Sequence, residues 1–196
     1  MTSTPKYEFT GETKESLGVT LKQIRLLVDI TALGLSAGTV GGWIEKDENL
    51  SQVSGDAWVS GNAQVSGNAQ VSGDAQVSGN AQVSGDARVY GNAQVSGDAR
   101  VYGNAQVSGD ARVYGNAQVS KVNLTMVRSD GYTFSACATP DGPRIIAGCR
   151  YFTYSEAKAH WKETRGGTQL GEESLVIVNA LKKMAKLNGL DKAVSQ

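Results

Sequence analysis

The chain has 196 residues, which is enough for one elongated domain with appendages. Its 19 basic and 19 acidic side chains cancel to a formal charge of zero, which argues against a large nucleic-acid footprint. The N-terminus lacks the apolar core of a signal peptide, and the most apolar early run, residues 26–35, contains Asp29 and is too short for a membrane span. We therefore expect a cytoplasmic protein without a membrane partner.

The N-terminal segment is predicted to form a β-stranded cap on the repetitive tract that follows it. Residues 5–12 and, with imperfect alternation, residues 18–30 read as strands. A solenoid needs a cap because its first coil would otherwise expose an apolar lumen and an unpaired strand edge. Ile44 and Leu50 are expected at early lumen positions. Trp43 is interpreted as a plug or an irregular first-coil residue, with ligand stacking as the alternative.

A valine occurs at every sixth position from Val53 to Val119, and an alanine follows each valine by four residues as far as Ala117. Within a hexad such as residues 71–76, Ala, Gln, Val and Ser alternate in and out, and Gly with Asn or Asp then turns a corner. Three hexads predict a coil of about 18 residues, and the whole tract predicts about four coils with the valines inside. A disordered polar tract is the alternative, but disorder requires no regular apolar column. The predicted regions are a cap, a β-helix and a C-terminal domain, at residues 1–52, 53–120 and 121–196.

The apolar-x-x-x-small-x hexad resembles the left-handed β-helix of the hexapeptide-repeat superfamily, which includes many acyltransferases and the γ-class carbonic anhydrases. This resemblance covers about seventy residues and implies an all-β solenoid, a left-handed parallel β-helix. The left hand comes from the resemblance, since the period alone does not fix it. Relatives of this fold commonly trimerise, and the Ser and Gln ladders give flat, uncharged faces. We therefore expect a homo-oligomer, with a trimer favoured.

Departures from the repeat consensus point outward and are the candidate partner-binding residues of the tract. A tryptophan replaces one Gln, and an Arg-Val-Tyr unit recurs every twelve residues, which is two sides of a three-sided prism. Successive tyrosines should therefore trace a spiral, unlike the flat ladder of an ice-binding or cation-binding plane. Arg–Tyr clusters can anchor interfaces, and a duplicated unit that merely solubilises the prism is the alternative. The candidates are Trp58, Arg88, Tyr90, Arg100, Tyr102, Arg112 and Tyr114.

The C-terminal region leaves the hexad rule and is predicted to form a small α+β domain, a β-hairpin plus two helices. Residues 121–150 read as strands joined by turns, and a T-x-x-E capping box starts a helix over residues 154–163. A second helix is predicted over residues 172–188, and the whole region would cover the last coil or form the partner-binding end. Cys137 and Cys149 fit a reducing cytosol, and a bridge between them stays open. The candidate partner-binding residues here are Arg150, Tyr151, His160 and Trp161.

Segments at both ends resemble a group of proteins from tailed bacteriophages and prophages. The N-terminal segments are K-Y-E-F-T-G-E-T-K-E, I-R-x-L-x-D and G-x-x-G-G-W-I-E-K-x-E-N-L-S. The C-terminal segments are G-C-R-Y-F-T at residues 148–153 and E-x-x-x-H-W at residues 156–161. The resemblance covers nearly the whole chain and implies a phage accessory protein without a defined activity.

The sequence lacks the residues that catalysis on this fold would need. Enzymes of the hexapeptide-repeat superfamily use histidines on their coils, and the one histidine of this chain, His160, lies in the tail. The repeats contain no Cys, Lys or Glu, and their five aspartates lie at corners, where turn formation explains them. No P-loop, dinucleotide fingerprint, zinc spacing or calcium-binding nonapeptide occurs. We expect no catalytic residue, no cofactor and no metal.

The favoured hypothesis is a non-enzymatic, phage-encoded protein that binds a host protein inside the bacterial cell, for example to inhibit a defence factor. A rigid prism would present the surface that binds. The first alternative is a virion, tail or assembly component. The second is an acyltransferase-like enzyme.

Overall fold

An antiparallel sheet begins the chain in the computed structural model, which describes residues 4–53, 55–120 and 124–190. Its strands are β1 (Tyr7–Ser16), β2 (Val19–Leu26) and β3 (Val40–Ile44). β1 continues past the predicted end at residue 12, because a bulge between Phe9 and Thr13 interrupts the alternation that the sequence interpretation followed. A tight turn at Leu17 and Gly18 joins β1 to β2, and both residues have positive φ.

Eleven two-residue strands within residues 55–120 build a three-sided solenoid. They are β4 (Trp58–Val59), β5 (Gln64–Val65), β6 (Gln70–Val71), β7 (Gln76–Val77), β8 (Gln82–Val83), β9 (Arg88–Val89), β10 (Gln94–Val95), β11 (Arg100–Val101), β12 (Gln106–Val107), β13 (Arg112–Val113) and β14 (Gln118–Val119). Strands one coil apart pair in parallel, so that Val65 lies beside Val83 and Val83 beside Val101. These valines and the repeat alanines fill one buried core. The predicted 18-residue spacing and about four turns are confirmed.

Glycine is required at the corners because the backbone turns left-handed where neighbouring coils approach closely. Gly91 has a φ of +69°, and a Cβ built on it would lie 2.9 Å from the nitrogen of Gly109. Beside the glycines, Asn and Asp side chains bond from coil to coil: Asn68 Nδ2 donates to Asp86 Oδ1 at 3.0 Å. The same Asn-to-Asp bond recurs at the other two corners. These hydrogen bonds between coils give the aspartates at the corners of the repeats a structural role.

The first coil departs from the period. Ile44 and Leu50 are buried at the early lumen positions expected of them. The prediction that Val53 also lines the lumen is wrong, since its side chain is 81% exposed. Leu50 lies opposite Val71 and thereby fills the place that the 18-residue spacing assigns to Val53. The chain then takes nine residues, instead of six, to reach the next lumen valine, Val59.

Polar side chains bond to backbone carbonyls at this irregular end of the solenoid. Asn49 Nδ2 donates to the carbonyls of Gly67 at 3.1 Å and of Ala69 at 2.9 Å. Lys6 Nζ donates to Ala57 O at 2.8 Å, and burial lowers the pKa of Lys6 to about 8. These carbonyls would otherwise need amide donors from a further coil. The N-terminal region therefore covers this end of the solenoid.

Trp43 lies on the outer wall, so the expectation that it plugs the lumen is wrong. It stands opposite Gln64, in an outward position of its strand, while its neighbour Ile44 points into the core. Lys14 Nζ lies 4.3 Å from the centroid of the Trp43 ring, within the range of a cation–π contact. Of the two roles that the sequence analysis gave Trp43, a plug or an irregular first-coil residue, the structure fits the second.

A four-stranded antiparallel sheet and two α-helices make up the described residues 124–190, so the sheet has two strands more than the predicted β-hairpin. They are β15 (Leu124–Val127), β16 (Thr133–Cys137), β17 (Arg144–Ala147), β18 (Arg150–Phe152), α1 (Tyr154–Arg165) and α2 (Gln169–Leu187). The capping box of α1 is confirmed, since Glu156 N donates to Thr153 Oγ1 at 3.2 Å. α2 begins three residues before its predicted start because Thr168 caps it, with Gly171 N donating to Thr168 Oγ1 at 3.1 Å.

The C-terminal sheet closes the other end of the solenoid. Cys137 of β16 and Ile146 of β17 belong to the solenoid core, whereas most of the sheet packs with the helices in a second core. Gln118 N, in the last strand of the solenoid, donates to Ala138 O at 2.8 Å, so the hydrogen bonding of that wall continues into the C-terminal region. The bridge left open between Cys137 and Cys149 is not formed, because both are free thiols, one buried and the other exposed.

Candidate interaction surface

The three outer faces of the solenoid carry the Arg-Val-Tyr units. Face 1 is formed by β3, β5, β8, β11 and β14, face 2 by β4, β7, β10 and β13, and face 3 by β6, β9 and β12. Arg88 stands on face 3, Arg100 on face 1 and Arg112 on face 2. The units therefore trace a spiral around the described solenoid, with one arginine on each face.

The three wall arginines are exposed cations. None of them makes an ion pair in the part of the chain that the structure describes, where the ion pairs join Arg25 to Glu8 and Arg128 to Asp130. A guanidinium presents a rigid fork of donors that matches carboxylate geometry. The wall arginines are consequently available to a partner that offers acceptors.

Arg88 and Tyr90 form the most accessible of the three Arg–Tyr pairs. The Tyr90 side chain is 39% exposed. Together with Gln70, Ser72 and Gln106, the pair lines a shallow depression of about 250 Å³ on face 3. A cation, an aromatic ring and neutral hydrogen-bonding groups thus share one small area of wall.

The other two wall tyrosines are engaged within the chain. Tyr102 is half-buried, and its hydroxyl lies 3.5 Å from Gln118 Oε1. Tyr114 OH donates to the carbonyls of Gly148 at 3.0 Å and of Arg150 at 2.6 Å, and burial raises the pKa of the Tyr114 phenol. Tyr114 therefore attaches the C-terminal sheet to the last coil, and its predicted role in partner binding gives way to this structural one.

Tyr151 of β18 completes the same joint. Its ring centroid lies 6.0 Å from that of Tyr114, and its hydroxyl donates to Asn116 Oδ1 at 2.6 Å. Asn116 Nδ2 in turn donates to Asp141 Oδ2 at 3.3 Å. Burial raises the pKa of Tyr151 to about 12, so the phenol stays neutral. Tyr151 holds the C-terminal domain on the solenoid instead of presenting itself to a partner.

Both candidate tryptophans are buried, so their prediction as partner-binding residues is wrong. Trp58 is 3% exposed beneath the N-terminal cover, where a Cβ built on Gly41 would lie 2.5 Å from its ring. Trp161 is 4% exposed in the second core, with its ring centroid 5.5 Å from that of Phe134. Trp58 points outward from the wall, but the N-terminal region covers it. Trp161 lies on the side of α1 that faces the sheet.

Arg150 and His160 remain at the surface of the C-terminal domain, where Arg150 is exposed and His160 half-buried. The imidazole of His160 packs against the ring of Phe152, with centroids 5.1 Å apart. Desolvation and, secondarily, Arg150 lower the pKa of His160, which favours a neutral packing residue. Within the described residues, no group of three or more His, Cys, Asp and Glu side chains is placed to hold a metal ion. None of the helices in those ranges combines the length and apolarity that crossing a lipid bilayer requires.

Sequence reasoning did not single out Gln70, Ser72 and Gln106, the other residues of the depression on face 3. Each matches the consensus of the repeats at its position, so its type carries no signal. The 18-residue spacing could have found two of them, because Gln70 and Gln106 lie one coil before and one coil after Arg88.

These parallel walls and their 18-residue ladders define a β-solenoid repeat protein. The family model described as YdcK beta solenoid repeat matches residues 51–67, 63–79, 81–97, 93–106 and 105–121. The matched segments follow the repeats and extend by no more than two residues into either flanking region. A comparison with curated proteins found no match.

Proposed function

We propose that the protein is a non-enzymatic, phage-encoded interaction protein that binds a bacterial host protein in the cytoplasm through face 3. The observation that carries the proposal is the Arg88–Tyr90 pair, an exposed cation without an ion pair among the described residues beside an exposed ring. Arginine and tyrosine are among the residues that dominate binding energy at protein interfaces. The phage origin rests on the sequence segments at both ends of the chain.

The proposal excludes catalysis on the basis of the side chains available. The repeats contain no His, Cys, Lys or Glu. The lumen is filled by valine and alanine, which leaves acid–base and nucleophilic chemistry no group inside the solenoid. His160, the one histidine of the sequence, packs on Phe152. We propose a host defence factor as the first class of partner to test.

Self-association is the second part of the proposal. The outward Ser and Gln side chains give flat, uncharged stretches of wall on all three faces, interrupted by one arginine on each, and such stretches can pack against copies of themselves. We propose a homotrimer built on these walls. Light scattering at micromolar concentration should give three times the mass of the chain, and a monomer mass would contradict this part alone.

Affinity capture from bacterial lysate tests the partner. The bait is the full chain, compared with the double variant Arg88→Ala, Tyr90→Ala and with the control Gln76→Ala, Ser78→Ala, which alters the equivalent positions on face 2. The proposal expects one host protein to be captured by the wild type and the control and lost with the face 3 variant. Losses of about tenfold to a hundredfold in affinity are expected for an Arg–Tyr anchor.

Two results would contradict the proposal. One is capture of the same protein by the face 3 variant and the wild type with equal affinity. The other is the absence of any host protein that the wild type and the control retain in common. Circular dichroism of each variant establishes that the fold is intact, as expected for substitutions of exposed wall residues.

A further inference from the structure

A basic cleft opens where β17, α1 and α2 meet, away from the Arg-Val-Tyr walls. It has a volume of about 440 Å³. Arg144 of β17, Lys158 of α1 and Lys182 of α2 line it, together with the hydroxyl residues Thr153 and Ser155. Three separate elements of the fold thus bring one cation each to the same depression.

The charges of this cleft are not neutralised within the described residues. Arg144, Lys158 and Lys182 make no ion pair there. Arg144 Nη1 donates to the backbone carbonyls of Asp141 at 3.3 Å and of Pro143 at 3.2 Å, which bring no negative charge.

A carboxylate in the first turn of α1, that of Glu156, interacts with the cation Arg144. Glu156 accepts a hydrogen bond from Thr153 N at 2.7 Å, and this bond, assisted more weakly by Arg144, lowers the pKa of Glu156. Glu156 thus contributes one negative charge against the three cations Arg144, Lys158 and Lys182, so positive charge stays in excess at the cleft. Like charges that a fold holds together repel one another, and a bound anion removes that repulsion.

We propose that this cleft binds a phosphate group, carried either by a small molecule or by a phosphorylated side chain. A guanidinium binds phosphate through a planar fork, and two ammonium groups add mobile donors. The first turn of α1 adds the positive end of a helix and the hydroxyl groups of Thr153 and Ser155, which lie 3.1 Å from each other. Three cations around a single depression suit one tetrahedral anion, whereas a nucleic-acid strand would require a track of cations.

This proposal is independent of partner binding on face 3, because it uses another domain and other residues. It also gives a physical reason for the charge distribution along the chain. Residues 121–196 hold eleven basic and seven acidic side chains, an excess that the other two regions lack. Three of those basic side chains converge on this cleft.

Calorimetric titration of the full chain with inorganic phosphate, against chloride at matched ionic strength, tests the inference. Lys158→Gln and Lys182→Gln should each weaken phosphate binding about tenfold, since each removes a charge-assisted hydrogen bond. Lys183→Gln is the matched control, because it removes the same charge from the next position of α2, outside the lining of the cleft. The control should change the affinity by less than about twofold, as expected for a screened surface charge.

Two further ligands identify the source of the phosphate. Tighter binding of a nucleoside monophosphate than of inorganic phosphate would point to a small molecule, and tighter binding of a phosphoserine peptide would point to a modified protein. The inference is overturned if no phosphate compound binds at millimolar concentration, or if Lys183→Gln weakens binding as much as the two cleft variants. Stronger binding of an acidic peptide without phosphate would overturn it as well. Lys182→Gln changes an exposed side chain, so this variant carries the test even if Lys158→Gln disturbs α1.

Discussion

The solenoid and the C-terminal domain bury their apolar side chains in opposite ways. The solenoid repeats two small residues, valine and alanine, and joins each coil to the next through backbone hydrogen bonds. The C-terminal domain uses large aromatic residues in contacts that occur once each. A wall position of the solenoid is therefore interchangeable with its counterparts until a side chain such as Arg88 or Tyr90 departs from the pattern. In the C-terminal domain every buried residue is specific to its place.

Arg128 illustrates the specific kind of contact. Its guanidinium is buried, makes a bidentate ion pair with Asp130, and donates to Ser174 Oγ at 2.8 Å. It also lies 4.9 Å from the ring centroid of Tyr132 and 5.1 Å from that of Trp161. Such a network links the residue that follows β15 to both helices, and it has no counterpart in the described part of the solenoid.

The largest expected effect comes from Trp161→Ala in the C-terminal core. Truncation of a buried aromatic side chain should cost about 3–5 kcal/mol of unfolding free energy, because the cavity is lined by Phe134, Tyr132 and Arg128 and cannot collapse. Val95→Ala, the matched change in the solenoid core, should cost only about 2 kcal/mol. Urea unfolding followed by far-UV circular dichroism measures both. Equal costs would mean that the two cores do not differ as described.

A smaller loss of unfolding free energy is expected at the corners, where two glycine substitutions separate the cost of the left-handed backbone from the cost of crowding the next coil. Gly91→Ala should cost about 2–3 kcal/mol, since it forces a side chain into a left-handed backbone and against Gly109 N, 2.9 Å from the new Cβ. Gly109→Ala, at the same corner one coil later, has a φ of +62° and nothing within 4 Å of the new Cβ. It should show only the conformational cost of about 1–2 kcal/mol. Urea midpoints in the reverse order would contradict the stacking of coils at this corner.

The smallest effect concerns the pH dependence of the C-terminal domain. The hydrogen bond from Arg128 lowers the pKa of Asp130 from 3.8 to about 2. A depressed folded-state pKa stabilises the fold above the unfolded value, and this stabilisation disappears as the pH falls from 3.8 towards 2. Acid titration of the wild type should therefore lose more stability across that window than Asp130→Asn does. Parallel acid curves for the two proteins would show that the ion pair contributes nothing there.

The sequence predicted the solenoid well because each hexad carries the same information about direction and burial. Val95 could be assigned to the lumen from its period alone. Val53 could not, because the nine-residue step from Leu50 to Val59 has no marker within the Val-Ser-Gly pattern. The left hand of the coil, taken from resemblance, stays a prediction.

The candidate surface was harder to predict because burial by distant chain cannot be read from a local pattern. Trp58 has the outward position that the period assigns, yet the N-terminal cover buries it. Tyr90 and Tyr114 occupy the same position of the repeated Arg-Val-Tyr unit. Tyr114 is bonded to β18 while Tyr90 is exposed, and this difference arises only because β18 lies next to the last coil.

Thiol reactivity tests which side chains of the solenoid face the lumen and which face solvent. In a Cys149→Ser background, single cysteines replace Arg88, Val89 or Val53, and their rates of reaction with a maleimide are compared. Cys137 does not interfere, because burial raises the pKa of its thiol to about 12. The account predicts that Arg88→Cys and Val53→Cys react at least about tenfold faster than Val89→Cys, which becomes accessible only when the solenoid opens. Equal rates for Arg88→Cys and Val89→Cys would contradict it.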